Sequence, residues 1–118
     1  MGLVYDLNLW KASHQLVLDV YKIVATFPKE EIYALSNQMK RCAVSVPANI
    51  VEGYKKTTKA HQIHFYTISD TSLEELKYYF LLSKDLNYIT DEEYKILINK
   101  SEEVGKMIAG YTKHIRQK

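Results

Sequence analysis

Apolar and small residues recur every three or four positions along most of the chain, the spacing that lines one face of an α-helix. The first run predicts a helix whose buried face is Leu9, Ser13, Leu16, Val20, Ile23 and Phe27. A second helix is predicted to begin near Pro28, because proline suits a first helical position and Glu30 and Glu31 favour the positive end of the helix dipole. Its buried face is predicted to be Ile32, Leu35, Met39, Cys42, Val46 and Ile50.

A third run starts near Thr57 or Thr58 and predicts the longest helix, of about 29 residues. Its buried face is predicted to be Phe65, Ser69, Ser72, Leu76, Tyr79, Ser83 and Leu86, flanked by Tyr66, Leu73 and Phe80. Thr90 and Glu93 have the spacing of a capping box, which places the start of a fourth helix. The buried face of that helix is predicted to be Tyr94, Leu97, Ser101, Val104, Ile108, Tyr111 and Ile115.

Short connections between four helices, without any strand-like alternation, predict an all-α fold. Neighbouring helices joined by short loops run antiparallel. We therefore expect a single domain over residues 1–118, an antiparallel up-down-up-down four-helix bundle.

The second helix contains Pro47, which removes an amide donor and should kink the helix at that point. Asn49 and Glu52 follow within two turns, where they either stabilise the kink or line a polar pocket. Gly53 is expected to end the helix, since glycine readily adopts a positive φ.

Tyr78–Leu82 places apolar groups around most of the third helix, more than one buried face requires. Val17, Leu18, Val20 and Tyr21 broaden the apolar face of the first helix in the same way. Such helices are usually covered on several sides, so we expect a homo-oligomer with an interface along these two helices. The alternative is that the tyrosines only line the boundary between core and water.

The composition indicates a cytoplasmic protein without a membrane segment. The single cysteine, Cys42, cannot form an intramolecular disulfide, and Met1–Asp6 lacks the basic start and apolar core of a signal peptide. No apolar run approaches the roughly 20 residues that span a bilayer. The net charge of +2 and pI of about 8.5 are too modest to identify a nucleic-acid-binding protein by themselves.

The distribution of charge is more informative than its sum. An up-down bundle brings the start of the first helix, the loop between the second and third helices, and the C-terminus to one end. That end has seven basic residues against two acidic ones: Lys11, Lys55, Lys56, Lys59, Lys113, Arg116 and Lys118 against Asp6 and Glu52. The other end has three basic residues against six acidic ones: Lys29, Lys84 and Lys95 against Glu30, Glu31, Asp85, Asp91, Glu92 and Glu93.

This polarity predicts a nucleic-acid contact at the basic end, repeated around the rim of an oligomer. The candidate residues are Lys55, Lys56, Lys59, Lys113, Arg116 and Lys118. Tyr5 and Tyr54 offer faces on which bases can stack, and His61, His64 and His114 can add charge at low pH. The alternative is that these lysines serve solubility and complement the helix dipoles.

Residues typical of catalysis or metal binding are sparse. His61 and His64 are three apart on a helix, but two ligands, even with His14 nearby, do not make a metal site. Cys42 belongs to the apolar face of the second helix, and no phosphate-binding glycine loop or Glu-x-x-His motif is present. We expect neither a metal nor a cofactor, and no enzymatic activity.

Several segments resemble a known family, the four-helix bundle proteins encoded in intervening sequences of bacterial 23S rRNA genes. The segments that carry the resemblance are Phe27–Glu31, Leu35–Gly53, Ser72–Leu76 and the turn at Lys84–Ile89. The resemblance implies a ring-shaped homopentamer without an established enzymatic activity. A related group looks like the accessory variability determinant proteins of diversity-generating retroelements, which are basic pentamers that associate with nucleic acid and a reverse transcriptase.

Three functional interpretations follow, in decreasing order of support. The first is a homo-oligomeric protein associated with RNA or DNA. The second is a scaffold or adaptor that binds another protein without contacting nucleic acid. By analogy with the related group, a reverse transcriptase is a candidate protein partner. The third is an enzyme with a pocket around Asn49 and Glu52.

Overall fold

Four α-helices account for most of the chain in the computed structural model, which describes residues 3–118. They are α1 (Asn8–Val24), α2 (Leu35–Lys55), α3 (Lys59–Asp85) and α4 (Asp91–Gln117), with short 3₁₀ turns at Leu3–Asp6 and Lys29–Glu31. No strand occurs between residues 3 and 118. Met1 and Gly2, the start of the segment considered above for a signal peptide, lie outside the described residues.

Contacts between the helices define a four-helix bundle of 46 × 24 × 24 Å. Each helix packs on its neighbour along the chain, and α1 closes the bundle against α4, whereas the backbones of α1 and α3 do not approach each other closely. The side chains of Ser69 and Ser83 on α3 bond to Val46 and Met39 on α2 respectively, so residue numbers rise along α3 as they fall along α2. Lys77 and Lys84 likewise approach Glu102 and Tyr94 on α4, and these pairs of helices are therefore antiparallel.

The core follows the predicted faces of α1, α2 and α4 closely. Its fully buried side chains include Leu16, Val20, Met39, Ile50, Leu76 and Val104. On α3 the buried face is rotated relative to the prediction. The aromatic residues expected at its flanks, Tyr66 and Phe80, are buried, while Phe65 and Tyr79 are only half-buried.

The start of the second helix was predicted wrongly. The helix begins at Leu35 and not near Pro28, and Ile32 is 53% exposed instead of buried. Phe27 packs against the ring of Tyr88 at 5.1 Å, and the Tyr88 hydroxyl donates a 2.7 Å hydrogen bond to Glu31. These contacts hold the segment after α1 against the α3–α4 turn.

The role predicted for Gly53 was also wrong. Its φ is not positive, and α2 continues past it to Lys55. A Cβ atom at this position would lie 2.7 Å from Cε1 of Tyr66, so glycine is needed for the close approach of the tyrosine ring. The helix also runs through Pro47, and the kink there stays a prediction.

The turn between α3 and α4 explains why only five residues connect two 27-residue helices. Asn87 has a φ of 63°, and the amide of Tyr88 donates back to the carbonyl of Ser83 at 2.9 Å. Asparagine tolerates this left-handed conformation better than most residues. Thr90 then caps α4 through the predicted capping box with Glu93.

A bilayer-crossing segment needs both length and an apolar composition, and no helix within residues 3–118 combines the two.

Candidate nucleic-acid interface

The six predicted basic residues lie at one end of the bundle, where three chain segments meet. Lys55 is in the last turn of α2, Lys56 follows it, and Lys59 is the first residue of α3. Lys113 and Arg116 lie in the final turns of α4, and Lys118 ends the chain. We call these six residues the basic rim.

The positive charge of the basic rim is presented to solvent. Five of the six side chains are exposed, and Lys56 is half-buried with its Nζ 5.1 Å from the centroid of the Phe65 ring. Four ion pairs occur within residues 3–118, and none of them includes a rim residue. No rim side chain is therefore held in a direct ion pair by an acidic residue of the described part of the chain.

The start of α3 adds to this positive end. Its first turn has no acidic residue and begins with Lys59, although the N-terminus of a helix favours negative side chains. By contrast, the first turn of α4 at the other end contains Asp91, Glu92 and Glu93. An anion would therefore be attracted to the start of α3 by both the lysine and the helix dipole.

At the opposite end three of the six acidic residues have partners within the bundle. Glu31 accepts a hydrogen bond from the Tyr88 hydroxyl, and the carboxylate of Glu93 accepts from the amide of Thr90 at 2.8 Å. Asp85 lies 4.0 Å from Lys84. These acidic residues stabilise helix ends and turns.

The aromatic residues predicted near the rim differ in how accessible they are. Tyr5 packs edge-on against Trp10 with ring centroids 4.8 Å apart, and His14 stacks on Trp10 with centroids 4.8 Å apart. Tyr5 and Tyr54 are half-buried, whereas His61 and His64 are exposed. The imidazoles of His61 and His64 are therefore more accessible than the rings of Tyr5 and Tyr54.

A groove between α3 and α4 adjoins the rim and was not predicted from the sequence. Thr67 and Asp70 of α3 face Thr112 and Arg116 of α4 across it, in a cavity of about 230 Å³. Its apolar lining includes Ile108. These residues come together because of the register in which α3 and α4 pack. The spacing of residues in the sequence therefore does not predict this groove.

Tyr66 also lines this groove and extends into the core at the basic end. Its ring meets that of Tyr111 edge-on at 5.2 Å. The hydroxyl is buried and has no hydrogen-bond partner among residues 3–118. Burial, followed by the neighbouring phenol of Tyr111, raises the pKa of Tyr66 well above its ordinary value.

Two of the residues considered for catalysis, Asn49 and Cys42, are engaged in local structure. Asn49 donates to the backbone carbonyl of Ser45 at 2.8 Å and to its hydroxyl at 2.9 Å, and Glu52 is exposed. The thiol of Cys42 donates to the carbonyl of Ser72 at 2.9 Å. Burial, with the charge of Glu75, raises the pKa of Cys42 to about 12, so the reactive thiolate is scarce at neutral pH.

The histidines do not assemble into a metal site. His14 stacks on Trp10 of α1, whereas His61 and His64 are exposed on α3. Among residues 3–118 no group of three His, Cys, Asp or Glu side chains is arranged to hold a metal ion.

The sequence and the fold both match known proteins. The family of 23S rRNA-intervening sequence proteins matches residues 5–110, almost the whole chain. The chain belongs to this family. A crystal structure from the S23 ribosomal protein family of Bacteroides thetaiotaomicron, described as a protein with unknown function, superposes with a TM-score of 0.80. It is 25% identical, and the match covers 89% of this chain and 98% of that one. Proteins of curated function give no match.

Proposed function

We propose that this member of the 23S rRNA-intervening sequence protein family is a non-enzymatic homo-oligomer that binds nucleic acid, RNA in particular, through the basic rim. The observation that carries the proposal is the set of six cationic side chains at one end without acidic partners. Such groups displace counterions from phosphates, which drives binding without any need for sequence recognition.

Assembly is supported by two exposed apolar patches on different sides of the bundle. The α1–α2 patch comprises Leu18, Tyr21 and Val44, which are 41–49% exposed, together with Lys40 and Arg41. The α3 patch comprises Tyr78 and Leu81, which are 57% and 38% exposed. The acidic residues Glu74, Glu75 and Asp85 lie on the same helix, where Lys77 pairs with Glu74 and Lys84 lies 4.0 Å from Asp85. Apolar surface of this kind commonly marks contacts between proteins.

The charges around the two patches favour contact between unlike patches. Pairing the α3 patch with itself would bring acidic residues together. Pairing the α1–α2 patch with itself would bring basic residues together. Pairing one patch with the other joins opposite charges and generates a ring when the rotation closes. In a ring all subunits point the same way, so the basic rims combine on one face. The family resemblance implies five subunits.

The test measures the affinity for a structured RNA and for a matched duplex DNA across a salt series. For duplex DNA the slope of log K against log salt weakens by about 0.9 for each lost phosphate contact. Replacing Lys55, Lys59 and Lys113 with glutamine should therefore reduce the magnitude of the slope by about 2 to 3.

The matched control replaces three exposed lysines outside the rim, Lys22, Lys95 and Lys106, with glutamine. It changes the net charge equally and should leave the slope near that of the wild-type protein. Equal effects from both triple variants would reject the rim as the contact surface. Absence of binding at low salt would reject the nucleic-acid function altogether.

A protein-binding scaffold is the second candidate function. It is favoured by an apolar groove of about 330 Å³ between α1 and α2, lined in part by Trp10, Val17, Val44 and Val51. Binding of a protein through apolar surface would be insensitive to salt, unlike binding to phosphates.

A further inference from the structure

The groove between α3 and α4 contains two opposite charges that do not pair. Asp70 on α3 and Arg116 on α4 both line it, yet neither belongs to an ion pair or side-chain hydrogen bond within residues 3–118. Both side chains are exposed to solvent. Their separation across an open cavity leaves room for a ligand that contacts both.

A groove between α1 and α4 shows the contrasting arrangement. Its cavity is of similar size, about 270 Å³, but its Asp19 and Lys100 form a direct ion pair of 2.7 Å. Charges that satisfy each other have little to offer to a ligand. The α3–α4 groove is therefore the better candidate for a polar binding site.

We propose that the α3–α4 groove binds one unpaired guanine nucleotide of RNA, with Asp70 contacting the base and Arg116 the adjacent phosphate. This inference rests on the proposed nucleic-acid function, because the groove adjoins the basic rim and Arg116 belongs to both. At about 230 Å³ the cavity is smaller than the roughly 300 Å³ of pockets for drug-sized ligands, so it suits a single base.

The carboxylate of Asp70 determines which base fits. The Watson–Crick edge of guanine presents two neighbouring donors, N1–H and the exocyclic amine, which match the two oxygens of a carboxylate. Adenine and cytosine place an acceptor nitrogen beside their amine, and uracil has one N–H between two carbonyls. These three bases would bring an acceptor against the carboxylate, whereas guanine would not.

The rest of the groove suits an extruded base. Ile108 and Ala109 provide an apolar surface, and extruded bases are read by packing against aromatic or apolar side chains together with hydrogen bonds to their edges. The hydroxyl of Thr67 donates to the carbonyl of Ile63 at 2.9 Å, which leaves its lone pairs free to accept from ribose or base.

The test uses RNA hairpins that differ only at one loop position, which is guanine, inosine, adenine, cytosine or uracil. We expect guanine to bind about tenfold more tightly than adenine, cytosine or uracil. Inosine lacks the exocyclic amine and should fall between guanine and the others. Asp70→Asn should remove the preference for guanine, since the amide replaces one acceptor oxygen with a donor.

Two further variants separate base recognition from other effects. Glu103→Gln removes one exposed acidic charge from α4 outside the groove and should retain the guanine preference. Ala109→Leu fills the groove from an exposed position and should abolish the preference for guanine. Far-UV circular dichroism and thermal unfolding check that each variant is folded.

Salt-dependent binding without any base preference would overturn the guanine site while leaving the rim intact. A preference that survives Asp70→Asn would overturn it as well. Absence of binding by every hairpin would reject both proposals together.

Discussion

Gly53 is the residue at which one added methyl group has a clear steric consequence. The Gly53→Ala variant places Cβ 2.7 Å from Cε1 of Tyr66, whose ring is almost completely buried and cannot move away freely. Overpacking of this kind costs about 1 to 3 kcal/mol, which exceeds the gain of up to about 1 kcal/mol from the better helix propensity of alanine. We expect a lower free energy of unfolding in urea.

Gly110 is the matched control, because nothing lies within 4 Å of an added Cβ there. Gly110→Ala should stabilise the protein by about 0.5 to 1 kcal/mol through helix propensity alone. If both variants were stabilising, the close approach of Tyr66 to Gly53 would be incorrect.

The error over Gly53 has a physical origin at the residue scale. Near the end of a helix, glycine can serve a terminating turn or a close contact, and both are compatible with the sequence. The contact depends on Tyr66, which belongs to the next helix and was expected only at the flank of its buried face. The register between α2 and α3 decides between a terminating turn and a close contact at Gly53.

Among the helices, α4 has the strongest N-terminal cap. The hydroxyl of Thr90 accepts from the amide of Glu93 at 3.0 Å, and Glu93 bonds back to the Thr90 amide. Thr90→Ala removes the first of these bonds and should lower the free energy of unfolding by about 1 kcal/mol.

The corresponding variant of α3 provides a comparison for this prediction. Thr58 accepts a longer bond of 3.2 Å from the amide of His61, without a reciprocal side chain. Thr58→Ala should therefore cost less than Thr90→Ala in the same urea unfolding experiment. A larger cost at Thr58 would contradict the ranking of the two caps.

Much of the helical architecture was predictable, because a repeated apolar spacing is a local property of the chain. The four helices were predicted correctly from that spacing, and the capping box from the separation of Thr90 and Glu93. The start of α2 was not, since Tyr88, far along the chain, holds residues 27–31 in place. The rotation of α3 was missed because aromatic residues lie on both sides of its buried face. Two orientations of the helix about its axis would therefore bury an equally apolar surface.

The basic rim was predictable from the sequence, whereas the groove beside it was not. Antiparallel topology is enough to bring Lys55, Lys59 and Lys113 to one end of the bundle. The α3–α4 groove was not predictable, because Asp70 and Arg116 are 46 positions apart and only helix packing brings them together.

Assembly of the molecule is expected to depend on the α3 patch. Leu81→Glu places a charge in the α3 patch, where Leu81 is 38% exposed, and adds to the acidic residues already present. If the patches mediate assembly, the variant should have the molar mass of one chain, 13.8 kDa, in light scattering. Ile96→Glu, at a 50% exposed position on α4, should retain the wild-type mass.

Charge reversal tests which patch contacts which. Lys40→Glu with Arg41→Glu should weaken assembly, and adding Glu74→Lys and Glu75→Lys in the same chain should restore it. Unchanged mass in Leu81→Glu, or failure of the restoring substitutions, would contradict the contact between unlike patches.

The separation of charge along the 46 Å length of the bundle affects how the protein behaves during purification. Its pI is about 8.5, and a protein with evenly mixed charges has little attraction for a cation-exchange resin near that pH. Here the basic rim can face the resin while the acidic end points into the buffer, where salt screens it beyond about 10 Å. Retention on such a column therefore reports the charge of one end, and the average charge of the chain is a poor guide to elution.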